Sequence, residues 1–98
     1  MYVTILTGRV ARENWITLAH LFERRVTKNP PPGLMKSCLI QSEDDPSHWR
    51  IVSMWFRKSD YEDYASTKKA DAYIELMCDS GTVPDRHGYQ TQGWYEQV

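Results

Sequence analysis

The chain has 98 residues, of which 41% are hydrophobic and 26% are charged, and these values predict one globular domain covering residues 1–98. Twelve basic and thirteen acidic residues leave a formal net charge of −1. We therefore expect no nucleic-acid partner and no anionic membrane surface, because both require an excess of basic charge. We also expect neither a secretion signal nor a membrane span, and we place the protein in the cytoplasm.

Cofactor signals are weak along the whole sequence. Cys38 and Cys78 are the only cysteines, and in a cytoplasmic protein we expect them to be reduced and mostly buried. His20, His48 and His87 are the conventional general bases, and each is expected on the surface without a partner. No histidine or cysteine spacing suits a metal, and the isolated glycines form no phosphate loop. The sequence therefore predicts no metal and no cofactor.

The first half of the chain predicts a strand and then a helix. Tyr2 to Val10 is rich in β-branched residues and carries apolar side chains on both faces, as a covered strand does. Ala11 to Val26 follows as a helix, because its apolar residues recur at helical spacing and form one stripe: Trp15, Leu18, Ala19, Phe22 and Val26. Three prolines between Lys28 and Gly33 end this helix.

A β-hairpin comes next. Leu34 to Ser42 and Trp49 to Arg57 predict two strands, since the acidic turn between them contains Asp and Pro. Alternation along the second strand divides its side chains into two sets. Ile51, Ser53 and Trp55 share one face, and Val52, Met54 and Phe56 share the other.

A second helix and a last strand complete the pattern. Ser59 and Glu62 have the spacing of a capping box, so we expect the helix to begin at Ser59 and to run to about Cys78. His87 to Val98 predicts the final strand.

The order βαββαβ predicts an α+β ferredoxin-like fold, in which a four-stranded antiparallel sheet carries two helices on one face. Apolar side chains occur on both faces of the predicted strands, whereas the helices cover only one. We therefore expect a homodimer in which a second copy covers the other face.

Several segments in this order resemble the antibiotic biosynthesis monooxygenase family. They are Pro31-Pro32-Gly33 before a strand, the turn Asp44-Asp45-Pro46, the strand Trp49 to Trp55, and Ser59 to Tyr64 at the entrance of the second helix. The resemblance implies a dimeric α+β barrel with a small pocket between sheet and helices. It also implies oxidation of a small aromatic or quinol-type substrate with molecular oxygen and no cofactor.

The same resemblance implies the site residues. Trp55 and Tyr61 match the tryptophan and tyrosine of the family's pocket, so they are the catalytic candidates, and Phe22, Tyr64 and Tyr73 are candidates for the pocket wall. Each of these aromatic residues also suits a packing role in the core. The related haem-degrading enzymes use a histidine on the second helix, and no histidine lies between Ser59 and Asp79. Haem oxygenase activity is therefore not expected.

Two hypotheses about function remain open from the sequence. The first is a cofactor-independent monooxygenase-like protein in which Trp55 and Tyr61 orient the substrate. The second is a non-catalytic dimeric module that binds a small hydrophobic or aromatic ligand, or is purely structural. The segment Ile51-Val52-Ser53 lacks the asparagine that the cofactor-free enzymes place before their tryptophan, and this favours the second.

Overall fold

The computed structural model describes residues 1–66, 77 and 84–97. Four strands form one antiparallel sheet in the order β2-β3-β1-β4, where β1 is Tyr2–Arg9, β2 is Leu34–Gln41, β3 is His48–Trp55 and β4 is Asp85–Gln90. Helix α1 (Trp15–Phe22) follows β1, and helix α2 (Lys58–Ala65) follows β3. This arrangement confirms the predicted α+β ferredoxin-like fold.

The first helical segment is more irregular than its periodicity predicts. A 3-10 turn (Arg12–Asn14) precedes α1, and a π-helical turn (Glu23–Thr27) follows it, where Lys28 donates its backbone N–H to the carbonyl of Glu23. The Trp15 indole N–H donates to the Val10 carbonyl over 2.9 Å and so fixes the entry. Of the predicted stripe, Leu18 and Val26 are buried, whereas Ala19 is exposed.

The turn of the β2–β3 hairpin is ordered by Asp45. Its carboxylate accepts hydrogen bonds from the Ser47 hydroxyl over 2.7 Å and from the Ser47 backbone N–H over 3.2 Å. Arg9, at the end of β1, forms an ion pair with the same carboxylate at 2.5 Å. The Ser47 hydroxyl and the Arg9 guanidinium lower the pKa of Asp45 from 3.8 to about 2, because both stabilise its charged form.

Helix α2 begins earlier than the capping pattern predicts. Arg57 is the N-cap, and its backbone N–H donates to the carboxylate of Asp60, the third residue of the helix, over 3.1 Å. The capping box therefore consists of Arg57 and Asp60, whereas Ser59 and Glu62 were expected to form it. The expectation was wrong because Arg57 already has extended backbone angles and the helix starts directly after it. Met77 is helical and fully buried, and the remaining predicted extent of this helix lies outside the described residues.

The core lies between the helices and one face of the sheet. Leu6, Ile51 and Trp55 project from that face, and they are 2%, 1% and 0% exposed. Leu18 from α1 and Tyr61 from α2 pack in the same cluster. The predicted division of β3 is therefore confirmed, since Ile51, Ser53 and Trp55 are the buried set.

The other face of the sheet, here called the open face, carries the alternate residues of each strand. Val3 pairs with Met54 and Tyr89, and Ile5 pairs with Val52, so these side chains share the open face. Several large apolar residues on it or beside it stay exposed: Ile40 at 45%, Tyr89 at 50% and Trp94 at 48%.

Cys38 corrects the expectation of buried thiols. It lies on the edge strand β2 opposite Val52, and it is exposed and free. An edge strand on an uncovered face leaves a small side chain in contact with solvent. Cys78 lies outside the described residues.

The last strand is shorter than predicted. β4 begins at Asp85 and ends at Gln90, which pairs with Tyr2, the first paired residue of β1. Thr91 then donates its N–H to the Met1 carbonyl, and residues 91–97 have no regular secondary structure. Within this segment, Trp94 and Glu96 contact Lys36 of β2, at 5.5 Å from ring centroid to ammonium and 3.5 Å from oxygen to nitrogen.

Candidate functional site

Trp55 is the centre of an aromatic cluster between the sheet and α2. It ends β3, and α2, which begins three residues later, brings two tyrosine rings to the Trp55 ring. Tyr61 meets the Trp55 ring edge-on with centroids 5.3 Å apart, and the Tyr64 centroid lies 5.6 Å from it. Tyr2 joins the cluster, 5.9 Å from Tyr61. Aromatic contacts of this kind contribute about 0.5–1.5 kcal/mol each beyond the burial of their surface.

The Trp55 indole N–H is directed along the sheet towards β1. It donates to the Thr4 hydroxyl over 3.2 Å, and Thr4 is itself only 5% exposed. Thr4 pairs with Ser53 across the sheet, and the Ser53 hydroxyl lies 2.9 Å from the hydroxyl of Ser37. A short row of hydroxyl groups, buried at Thr4 and Ser53 and half-buried at Ser37, therefore borders the aromatic cluster.

Tyr61 connects the cluster to β4. Arg86 donates a hydrogen bond from its guanidinium to the Tyr61 hydroxyl, and the same guanidinium lies 5.4 Å from the Tyr61 ring centroid. A guanidinium is charged at all physiological pH values, so it brings a permanent positive charge to the polar end of the cluster. This charge can stabilise negative charge that develops on a phenol or an enol nearby.

The structure brings three of the five sequence-predicted site residues together. Trp55, Tyr61 and Tyr64 form the cluster, and Phe22 packs partly buried against the core from the end of α1. Tyr73 lies outside the described residues.

Three further residues at the cluster escaped sequence reasoning. Thr4 and Arg86 reach it only through the pairing of β1 with β3 and β4, which local patterns do not reveal. Tyr2 has a clearer signal in hindsight, because Gly88 stands opposite Thr4 and a Cβ atom on Gly88 would collide with the Tyr2 hydroxyl. The glycine in a strand indicates such a close approach.

The arrangement offers hydrogen-bond donors and a cation but no histidine base. His20 and His87 are exposed and His48 is half-buried, and none of them belongs to the cluster. Among the described residues, no group of three potential metal-ligating side chains occurs. The described side chains can hold a flat ligand, donate hydrogen bonds to it and balance its negative charge.

Solved structures of other proteins share this fold over nearly the whole chain. A provisionally named antibiotic biosynthesis monooxygenase from Deinococcus radiodurans matches with a TM-score of 0.79 at 12% identity, over 100% of this chain and 99% of that one. A second protein so named, from Nitrosomonas europaea, matches with a TM-score of 0.67 at 22% identity, over 97% and 100% of the two chains.

A third match was solved with a ligand. The monooxygenase from the gene ActVA-Orf6 of Streptomyces coelicolor, in complex with nanaomycin D, has a TM-score of 0.76 at 14% identity, over 99% of this chain and 92% of that one. At these identities the likeness shows the fold, which is the one implied by the sequence resemblance. No protein-family model and no curated protein matches the chain. Among the described residues, no helix has the length and apolar character needed to cross a membrane.

Proposed function

We propose that this protein is a cofactor-independent monooxygenase-like domain of the antibiotic biosynthesis monooxygenase type, which binds a small aromatic or quinol-type molecule beside Trp55 and Tyr61. The observation that carries the proposal is the buried cluster of Trp55, Tyr61 and Tyr64 with the Arg86 guanidinium at its polar end. The shared fold of the monooxygenase solved with nanaomycin D supports the same ligand class.

The proposed chemistry requires little from the protein beyond binding. The reaction requires a carbon that carries hydrogen, either the CH2 group of an anthrone-like substrate or an unsubstituted ring carbon of a phenol or quinol. The substrate loses a proton to water, and the resulting anion adds to molecular oxygen and is protonated to a hydroperoxide at that carbon. Loss of water then breaks the O–O bond and the remaining C–H bond, so one oxygen atom stays as a carbonyl group and the substrate supplies all the electrons. Trp55 and Tyr61 would orient the ring, and Arg86 would lower the free energy of the anion by its positive charge.

A non-catalytic binding module is the second candidate, and two contacts favour it. The Trp55 indole N–H is already bonded to Thr4, and the Tyr61 hydroxyl already accepts a hydrogen bond from Arg86. Polar atoms satisfied within the protein have less to gain from a substrate. In this alternative, the cluster binds a hydrophobic ligand or only stabilises the fold.

Oxygen uptake by the purified protein, with a panel of anthrone-like and quinol substrates, tests the proposal. We expect protein-dependent uptake that falls about tenfold to a hundredfold in Tyr61→Phe, because this variant removes the hydroxyl beside Arg86 and keeps the ring. Trp55→Phe should also reduce uptake. Tyr95→Phe is the matched control, since Tyr95 is 85% exposed and should keep full activity.

Ligand titration separates the two candidates. Quenching of tryptophan fluorescence by the same compounds, without any oxygen uptake, would support the binding module over the enzyme. If the panel gives no oxygen uptake and no saturable binding, both proposals for the cluster are contradicted, and the cluster has only a packing role.

We also propose that the protein forms a homodimer through the open face. Val3, Ile5, Val52 and Met54 leave this face apolar, and Ile40 and Tyr89 on it remain about half exposed. Exposed apolar patches of this extent commonly mark an interaction surface. An isologous pair would cover the patch on both copies at once.

A further inference from the structure

Arg50 on β3 and Asp85 on β4 are opposite charges on the open face. Both side chains are exposed, and neither forms an ion pair within the described residues. Arg50 pairs with Thr7 across the sheet, and Thr7 pairs with Asp85, so the three residues form one row. Adjacent strands are about 4.8 Å apart, which separates Arg50 from Asp85 by about 10 Å. Among the described residues, the two side chains form no ion pair with each other.

Apolar side chains flank the two charges, so a partner that covers this surface also buries Arg50 and Asp85. Ile40 continues the row beyond Arg50, and the neighbouring row contains Val52 and Ile5. A second copy that covers these apolar side chains would also exclude water from Arg50 and Asp85. Burial of an unpaired charge is strongly unfavourable, so each charge needs an opposite charge on the incoming surface.

We propose that Arg50 of one copy pairs with Asp85 of the second copy, and that these reciprocal ion pairs set the orientation of the homodimer; this inference rests on the homodimer proposed above. In a two-fold interface, each contact between two different residues occurs twice. One such pairing therefore satisfies all four charges.

The pairing also determines where the two-fold axis lies. A two-fold axis that places Arg50 of one copy opposite Asp85 of the other must pass midway between the two residues. Thr7 of β1 occupies this midpoint. The axis then runs along β1, so that Val3 and Ile5 face their counterparts at the centre of the interface. Placing the axis over β3 would set Arg50 against Arg50 of the second copy, and the like charges would repel.

Charge reversal with mixing tests this orientation by sedimentation velocity over a concentration series. Arg50→Asp alone and Asp85→Arg alone each create like-charged contacts, so we expect the dimer dissociation constant to rise at least about tenfold in each. An equimolar mixture of the two variants should form a 1:1 heterodimer, because all its cross-contacts are again oppositely charged. The double variant Arg50→Asp/Asp85→Arg should recover the homodimer. Arg24→Asp on the exposed side of the first helical segment is the control.

The outcomes separate the ion pair from the dimer itself. Single variants that dimerise like the unmodified protein, or a mixture that fails to associate, would overturn the pairing while the dimer stands. An unmodified protein that stays monomeric would overturn both proposals. Circular dichroism spectra of each variant, compared with the unmodified protein, check that the charge reversals leave the fold intact.

Discussion

Gly33 is a residue whose backbone and surroundings both exclude a side chain. Its φ is 83°, and its carbonyl accepts the backbone N–H of Phe56 over 3.0 Å, which connects the start of β2 to the end of β3. A Cβ atom at this position would lie 2.5 Å from the Cβ of Asp60, the residue that caps α2. The absence of a side chain therefore lets α2 begin close to the sheet, directly after Trp55.

We expect Gly33→Ala to lower the free energy of unfolding by about 1–3 kcal/mol from the backbone conformation alone, with a further loss from the collision with Asp60. Urea denaturation followed by circular dichroism measures this difference. Gly93→Ala is the control, because no atom lies within 4 Å of its Cβ position, and its effect should stay within about 0.5 kcal/mol. Equal stability of the two variants would contradict this account of Gly33.

Local sequence patterns could identify the residues of the site that are close in the chain, but not their long-range partners. Trp55 and Tyr61 are six positions apart across a strand end and a helix start, so local patterns bring them together. Arg86 lies 25 positions beyond Tyr61, and its contact depends on the register of β4 against β1. Such long-range partners cannot be inferred from periodicity, because a shift of one residue would direct Arg86 to the other face.

At the scale of elements, the β2–β3 hairpin depends on Asp45 and has a defined response to acid. The pKa of Asp45 is about 2 in the folded protein, against an ordinary value of 3.8. A carboxyl group whose pKa falls on folding stabilises the folded state above its ordinary pKa. That contribution is lost as the pH falls from about 4 towards about 2.

We therefore expect Asp45→Asn to be less stable than the unmodified protein at neutral pH, and the difference between them to shrink as the pH falls to about 2. The effect is modest, because the pair with Arg9 is exposed to solvent. Urea denaturation at a series of pH values checks both points. Asp44→Asn is the control in the same turn, since Asp44 is exposed and forms no ion pair among the described residues, and at neutral pH its effect should stay within about 0.5 kcal/mol. A difference for Asp45→Asn that stays constant with pH would contradict the assignment.

The elements themselves were predictable from the sequence, but several of their ends were not. Strand alternation and helical spacing identified β1, the first helical segment and the hairpin, since these patterns follow from burial. The N-cap of α2 is Arg57, whereas Ser59 was expected, and β4 ends at Gln90, whereas Val98 was expected. The first difference comes from a local contact, the hydrogen bond from the Arg57 backbone N–H to the Asp60 carboxylate. The second comes from tertiary pairing, since the pairing of β4 with β1 ends at Tyr2.

At the scale of the whole molecule, a substitution on the open face can test the homodimer without changing the core. Val52 lies near the centre of this face, between Ile5 and Cys38. We expect Val52→Lys to raise the dimer dissociation constant at least about tenfold, because a charge at the centre of an apolar interface must be desolvated. Sedimentation velocity measures this change. Ile16→Lys, at a site 72% exposed on α1, is the control and should leave association unchanged.

The four-stranded antiparallel sheet could be predicted from the sequence, because a sheet of this kind is the compact solution for the order βαββαβ, and the structure has such a sheet. The segment after β4 could not be predicted in the same way. Its alternating residues resemble a strand, but residues 91–97 extend to Lys36 of β2 without joining the sheet. Alternation alone does not tell whether a neighbouring strand has groups left to pair.

The central position of β1 has a consequence for how this chain folds. During synthesis, β1 is made before either strand that pairs with it, since β3 begins at His48 and β4 at Asp85. Its backbone groups on both sides stay without sheet partners until those segments leave the ribosome. Contacts so distant in sequence carry a large loop-closure cost and slow the folding of the sheet. In the nascent chain, Tyr2–Arg9 is therefore an apolar strand with two open edges, and it is the segment most exposed to intermolecular pairing before folding is complete.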